Sequence, residues 1–127
     1  MLKPIDVILL FENHPEQVLK PGEILFKEGE PGEVMYGILS GEIDMTLRGK
    51  VVETLGSGDA LGERALVHEE HRRFCTAIAK TEAKVAVMDR ERFLFAVQQT
   101  PMFALELLRS YSERACKLKE HLRQLMD

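Results

Sequence analysis

The sequence predicts a mainly β domain with flanking helices, in which an antiparallel β-roll of the jelly-roll type precedes a short helix and a long C-terminal helix. From about residue 20 to residue 89, short apolar segments alternate with glycine-containing turns at a spacing of about 8–12 residues, as in antiparallel sandwiches and barrels. After Asp89 the apolar period lengthens to that of a helix. A length of 127 residues suits a single domain.

The first segment, residues 1–19, is mixed in character. An apolar run, Val7–Phe11, precedes the sequence Asn13-His14-Pro15. The proline biases the preceding residue away from the helical conformation, so the run ends there. We expect a short packing segment that is helical rather than extended.

Residues 20–89 contain the strands of the predicted β-roll. In Glu42–Arg48, apolar residues alternate with polar ones, which is the pattern of a half-buried strand. Pro21-Gly22 and Pro31-Gly32 each predict a turn with glycine at its third position, and Arg48-Gly49-Lys50 predicts a tight hairpin turn. The predicted strands are Ile24–Phe26, Val34–Ser40, Glu42–Arg48, Val51–Leu55, Cys75–Ala79 and Ala83–Asp89.

The final part of the chain predicts two helices. Asp89 is expected to cap a short helix over Arg90–Gln98, and Thr100 to cap a long one from Pro101 to about Met126. Apolar residues recur along the long helix at alternating steps of three and four, which indicates an a/d seam and a parallel homodimer. The alternative is that this helix packs only on its own domain. The seam residues are Leu108, Tyr111, Ala115, Leu118, Leu122 and Leu125.

Composition and charge exclude several classes of protein. A formal net charge of −4 argues against a general nucleic-acid binder, and the basic stretch Arg109–Arg123 is interpreted as the solvated flank of a helix pair. Cys75 and Cys116 are too few for a disulfide framework, which favours a reducing, cytoplasmic location. The chain has no apolar run of about 18 residues, so we expect no membrane span.

The candidate ligand-binding stretch begins at Gly56. Its spacing, G-x-G-x-x-x-G up to Gly62, and the absence of a βαβ pattern argue against a dinucleotide-binding loop. If Glu63–Val67 forms one helical turn, its free amides favour an anion. Arg73 offers a planar fork for a phosphate, and Glu63 can accept a hydrogen bond from a sugar hydroxyl. These groups suit a compact ligand with one phosphate and one ribose.

Metal chemistry and catalysis are not expected. The sequence His68-Glu69-Glu70-His71 contains ligand-type residues, but no further histidine or cysteine has metal-binding spacing, so we interpret it as a solvated loop. Haem ligation by Cys75 and His71 is a remote alternative. No nucleophile and base are arranged as in an enzyme site, and we expect the protein not to be an enzyme.

The stretch Leu61–Thr76 resembles the phosphate-binding cassette of cyclic nucleotide-binding domains of the catabolite activator protein kind. The resemblance extends from about Lys20 to the end of the chain. Pro21–Glu30 is similar to the opening hairpin of the family, and Ile38–Ile43 to its G-x-V turn. The two predicted C-terminal helices fall where the helices of the family do. Each motif is weak alone, and their order is specific for the fold.

The resemblance implies a role for each matching residue. Glu63, which follows Gly62, corresponds to the glutamate that holds the ribose 2′-hydroxyl. Arg73, ten residues later, corresponds to the arginine that pairs with the cyclic phosphate, with Arg72 as the neighbouring candidate. Ala65 and Leu66 correspond to positions near phosphate and ribose. Arg114 corresponds to a helix arginine that supports the pocket, and Leu118 to a base-contacting threonine.

Two residues depart from the family pattern, and one of them, Leu118, replaces the base-contacting threonine, which argues against recognition of the base by hydrogen bonds. The other, Phe74, stands where the family has a small residue close to the phosphate. Two functions follow. The first is a sensor that binds cAMP or cGMP and signals to a partner protein through a dimer of long helices. The second is an adaptor or dimerisation module whose pocket Phe74 closes.

The resemblance also bears on DNA binding. Transcription factors of this family continue past the long helix into a helix-turn-helix domain, whereas this sequence ends at Asp127. We therefore expect a sensor domain without direct DNA binding, either as a stand-alone protein or as a fragment of a longer one.

Overall fold

The computed structural model describes residues 15–126, which form eight strands and three helices. The strands are β1 (Glu16–Leu19), β2 (Ile24–Phe26), β3 (Val34–Ser40), β4 (Ile43–Leu47), β5 (Lys50–Leu55), β6 (Ala60–Leu61), β7 (Thr76–Ala79) and β8 (Ala83–Asp89). The helices are α1 (Arg64–Val67), α2 (Arg90–Gln99) and α3 (Met102–Gln124).

The strands form two four-stranded antiparallel sheets. Their orders are β1-β8-β3-β6 and β2-β7-β4-β5. Apolar residues of both sheets, among them Ile38, Ile43 and Val85, are fully buried in one cluster. A second cluster, which includes Met88, Phe103 and Ala96, joins the helices to the first sheet. The predicted fold class, a mainly β-roll followed by helices, is confirmed.

Two strands differ from the expectations. Glu16–Leu19 is strand β1, paired with β8 from Glu16↔Ala86 to Leu19↔Ala83, so the predicted helical conformation is wrong there. The open edge of β8 supplies the hydrogen bonds, and Leu19 is buried while the three residues before it stay exposed. The rest of the first segment lies outside the described residues. The two-residue strand β6 was not predicted; it pairs with Tyr36 and Gly37.

Two of the three predicted glycine turns are present in the structure, and one is displaced. The Lys20–Glu23 turn closes with a 3.0 Å bond from the Glu23 amide to the Lys20 carbonyl, and Gly22 has a φ of +87°. The same turn predicted at Pro31-Gly32 is wrong. The second glycine turn instead spans Lys27–Glu30, with Gly29 at a φ of +83°. The predicted hairpin turn at Arg48-Gly49 is confirmed, with both residues at positive φ.

The helices begin close to where they were predicted. The Asp89 side chain accepts a 2.8 Å hydrogen bond from the Arg92 amide and caps α2. The predicted side-chain cap by Thr100 is wrong, because Pro101 is the first residue of the turn and no side chain caps α3. Within residues 15–126, no helix combines the length and the apolar character that crossing a membrane requires.

Candidate functional site

A cavity of about 970 Å³ lies between the second sheet, the loop after β5, α1 and the second half of α3. Six of the eight residues that the sequence singled out for ligand binding line this cavity. They are Gly62, Glu63, Arg73, Phe74, Arg114 and Leu118. Residues separated by more than 50 positions therefore meet at one site, as the resemblance implies.

Arg73 is the most unusual residue of the cavity. It is only 5% exposed, and its guanidinium stacks 4.4 Å from the centre of the Phe26 ring and 5.7 Å from that of Tyr36. Nη1 donates a 3.1 Å hydrogen bond to the Gly62 carbonyl. Nε is buried with no partner, and no carboxylate of the described residues forms an ion pair with Arg73. A buried cation with an unused donor is costly unless an anion joins it.

The electrostatics around Arg73 follow from this burial. Burial lowers the pKa of the guanidinium, while Tyr36 and the carboxylates of Glu30, Glu63 and Glu33 act in the opposite direction. None of these carboxylates is close enough to pair with it. The group therefore keeps its charge for a ligand that enters the cavity.

The chain around Arg73 fixes its position. Its amide donates to the Glu30 carbonyl at 2.8 Å, and its carbonyl accepts from the Gly29 amide at 2.8 Å. Its neighbour Arg72 is exposed, and Nη1 of Arg72 donates to the Gly29 carbonyl. The structure therefore separates the two candidate arginines, because only Arg73 reaches the cavity.

Glu63 and the turn that follows it form another part of the wall. Glu63 is half-buried and directly precedes α1. The side chains of Ala65 and Leu66 are 2% and 3% exposed and do not line the cavity; Leu66 packs in the second core cluster. Their amides already donate within the turn, to the carbonyls of Gly62 and Glu63, so they differ from the free amides expected there.

Phe74 lies on the cavity wall and is 62% exposed. The guanidinium of Arg64 lies 5.6 Å from the centre of its ring. The adaptor hypothesis requires a phenyl ring that fills the phosphate site. The ring is instead exposed at the wall, and the cavity also reaches Arg73.

Arg114 attaches α3 to the β-roll. Its Nε and Nη2 donate to the two carboxylate oxygens of Glu53 at 3.1 and 2.8 Å, and its Nη1 donates to the Ala60 carbonyl at 2.7 Å. Burial by itself would lower the pKa of Arg114. The hydrogen bonds and the negative charge of Glu53 raise it by more than burial lowers it, so the pKa lies above its ordinary value. The guanidinium also stacks 4.5 Å from the ring centre of Tyr111.

Glu53 was missed by sequence reasoning. It lies in β5, in register with Met45 of β4, and no motif distinguishes it from other strand glutamates. The signal that could have found it is its place on a strand next to the cavity, which only the sheet order reveals.

The predicted seam of α3 divides into two groups. Leu108, Leu122 and Leu125 are 66%, 58% and 71% exposed, and Leu118 is 39% exposed. Tyr111 instead packs against the second core cluster of its own chain. An exposed leucine stripe therefore remains on the helix, and Leu118 and Leu122 also contact the cavity.

The described residues contain no cluster of three or more potential metal ligands. Nδ1 of His71 lies 2.6 Å from the Ala65 carbonyl, and His68, Glu69 and Glu70 are exposed. The cavity and the buried Arg73 guanidinium, which pairs with no carboxylate of the described residues, define the class of site: one suited to a small anion, on a β-roll with a C-terminal helix.

The family assignment agrees with this class. Residues 16–100 match the model of the cyclic nucleotide-binding domain, and the chain belongs to that family. It is 42% identical over 79 residues to a cAMP-dependent protein kinase regulatory subunit of Yarrowia lipolytica, covering 61% of this chain and 21% of that protein. It is 38% identical over 85 residues to a cGMP-dependent protein kinase of Eimeria tenella, covering 67% of this chain and 8% of that protein. The chain thus spans a minor part of these relatives.

A solved structure shares the fold. The c-di-GMP responsive global regulator CLP of Xanthomonas campestris superimposes with a TM-score of 0.84 at 20% identity, over 98% of this chain and 65% of that one. At this identity the likeness concerns the fold.

Proposed function

We propose that this domain is a regulatory sensor that binds a cyclic purine mononucleotide, cAMP or cGMP, and does not transform it. The observation that carries the proposal is Arg73, a buried cation with an unpartnered Nε and no carboxylate paired to it. A cyclic phosphate supplies one negative charge and several acceptor oxygens, which are what this group lacks. Membership of the cyclic nucleotide-binding domain family supports the same ligand class.

Other residues of the cavity suit the ribose of the ligand and connect the cassette to helix α3. Glu63 lies on the cavity wall, where its carboxylate can accept a hydrogen bond from the ribose hydroxyl. The carbonyl of Ala60 and the carboxylate of Glu53 hold Arg114, so α3 is attached to the segment that enters the cassette. A ligand that draws the cassette toward α3 changes the packing of that helix. It can do so only by its differential affinity for the two arrangements.

The output is proposed to be a homodimer in the cytoplasm that a downstream protein recognises. The stripe of Leu108, Leu118, Leu122 and Leu125 supports this, because exposed leucines at helical spacing favour a partner helix. Leu108→Lys and Leu125→Lys are expected to give a monomer in size-exclusion chromatography with light scattering. Leu94→Lys, at an exposed leucine of α2, is the control. A dimer that survives both seam changes contradicts this part of the proposal.

The ligand is tested by calorimetric titration of the protein with cAMP and with cGMP, with Arg73→Ala alongside. Truncating one partner of a buried charged pair costs about 2–5 kcal/mol, which is a loss of tens to thousands of fold in affinity. Arg72→Ala is the matched control, because the Arg72 side chain is exposed and contacts the Gly29 carbonyl and Glu70 rather than the cavity. Equal binding by the wild type and Arg73→Ala, or no binding up to millimolar ligand, refutes the proposal.

A further inference from the structure

Packing within the folded chain does not explain why the ring of Phe74 is exposed. A large apolar side chain that is 62% exposed usually lies on an outer surface, whereas this one lies on the wall of the cavity. It follows Arg73 directly in the sequence. Phe74 is therefore within one residue of the proposed phosphate contact, and its ring is available to a ligand.

Arg64 determines which face of the ring is available. Its guanidinium lies 5.6 Å from the ring centre, within the range of a cation–π contact. Arg64 forms no ion pair with any carboxylate in the part of the chain that the structure describes. One face of Phe74 is thus covered by a cation, and the exposed remainder of the ring is left for a flat partner.

The rest of the cavity wall combines polar side chains of α3 with apolar surface beside the Phe74 ring. Side chains of α3 add apolar surface through Leu118 and Leu122. Among the described residues that line the cavity there is no asparagine or glutamine, the side chains best suited to bidentate contact with adenine. The Thr54 hydroxyl is already bonded to Asp44 at 2.7 Å.

We propose that Phe74, supported by Arg64, is the surface on which the purine base of the ligand stacks. This inference rests on the proposed function and adds how the site treats the base of the ligand. Stacking on an aromatic ring is tolerant of base identity, because every base has a π face. The site therefore accepts cAMP and cGMP with affinities within about tenfold of each other, and Phe74 strengthens binding rather than blocking it.

The test compares the wild type, Phe74→Ala and Phe74→Tyr by calorimetry with three ligands: cAMP, cGMP and ribose 3′,5′-cyclic phosphate, which has no base. Phe74→Ala is expected to lose about 5- to 150-fold in affinity for both nucleotides, the range for removing one base–aromatic stack. Its affinity for the base-free ligand is expected to stay within about twofold. Phe74→Tyr keeps the ring and is expected to bind like the wild type. Leu94→Ala, at an exposed leucine away from the cavity, is the control.

The possible outcomes separate this inference from the function on which it rests. Unchanged nucleotide affinity in Phe74→Ala overturns the stacking role and leaves the sensor intact. Tighter binding in Phe74→Ala, or binding that only this variant shows, means that the ring obstructs the site and overturns the inference. No binding by the wild type and by every variant, with unfolding transitions that show them folded, refutes the proposed function as well.

Discussion

A side chain on Gly32 would collide with the guanidinium of Arg73: a Cβ built there lies 2.3 Å from Nε and 2.4 Å from Cζ. The glycine therefore leaves room for the guanidinium in the position it occupies, and its own backbone does not call for glycine, since its φ is not in the left-handed region. Gly62 approaches the same guanidinium from another direction, with its Cβ position 2.8 Å from Nη1. The two glycines together define where the cation can lie.

Gly32→Ala is predicted to displace Arg73 and to weaken ligand binding by about tenfold or more, because an overpacked site costs about 1–3 kcal/mol. The Kd from calorimetry is the measurement. Gly56→Ala is the matched control, because a Cβ at Gly56 meets nothing within 4 Å and its φ is also not left-handed. Equal losses in both variants would show that the effect is not specific to Arg73.

Arg73→Met is predicted to separate folding from ligand binding. The methionine keeps apolar contact with Phe26 and Tyr36 and removes a buried charge that has no paired carboxylate. Replacing buried ionic groups by apolar ones is often neutral or stabilising, and the lost hydrogen bond to the Gly62 carbonyl offsets part of that gain. The free energy of unfolding without ligand is therefore expected to change by less than about 1 kcal/mol. Chemical denaturation measures it. The rise in Tm that saturating nucleotide produces in the wild type is expected to disappear. A ligand-free variant less stable by several kcal/mol would contradict this prediction.

Glu53→Gln is predicted to loosen α3 from the β-roll. The change removes the charge from a bidentate pair whose side chains are only 14% and 20% exposed, and leaves the largely buried Arg114 without its counter-charge. Hydrogen bonds to charged groups contribute about 1.5–3 kcal/mol, and a loss of that size is expected in the free energy of unfolding. Glu113→Gln, at an exposed carboxylate of the same helix, is the control and is expected to change stability by less than about 0.5 kcal/mol.

Tyr111→Phe is predicted to raise stability by about 1 kcal/mol, because the buried hydroxyl lies beside Glu63 and Arg114 without a well-formed hydrogen bond to either. Burial raises the pKa of Tyr111, the Glu63 carboxylate adds to the shift, and Arg114 opposes it. The unfolded chain therefore releases this proton before the folded one does. Stability is complete below the unfolded pKa of about 10 and falls as the pH rises above it. Denaturation measured from pH 8 to pH 11 is expected to show a smaller alkaline loss in the variant.

Cys75 is predicted to react slowly with iodoacetamide and to be protected by ligand. Burial raises the pKa of its thiol, and the carboxylates of Glu53, Glu28 and Glu63 add to the shift against Arg114, so little reactive thiolate forms at pH 8. The exposed Cys116 is the internal control and is expected to react first. Because Cys75 lines the cavity, saturating cAMP should slow its alkylation and leave that of Cys116 unchanged, as mass spectrometry of the peptides can show. Equal rates at both thiols would contradict this prediction.

Local patterns were sufficient for most elements of the fold. The alternation in Glu42–Arg48 predicted β4, and Asp89 predicted the start of α2, because both depend on neighbouring residues in the chain. Within β4, however, a register shift between Met45 and Thr46 buries the threonine, whose hydroxyl bonds the Thr76 carbonyl at 3.2 Å. Strict alternation along the strand predicts that the Thr46 side chain faces solvent. The distant strand β7 decided it instead.

The sequence by itself determined most strands of the β-roll and the two helices that follow them. Those features follow from residue spacing and from turn chemistry, which act over short stretches of chain. The cassette and the expected roles of Glu63 and Arg73 came from the resemblance to cyclic nucleotide-binding domains. Only the tertiary structure decided that Gly32 makes room for Arg73, that Glu53 holds Arg114, and that β1 pairs with β8. Each of these joins segments that are far apart along the chain. The energy that selects such contacts, from close packing and from pairing buried charges, exists only once the sheets and helices have assembled.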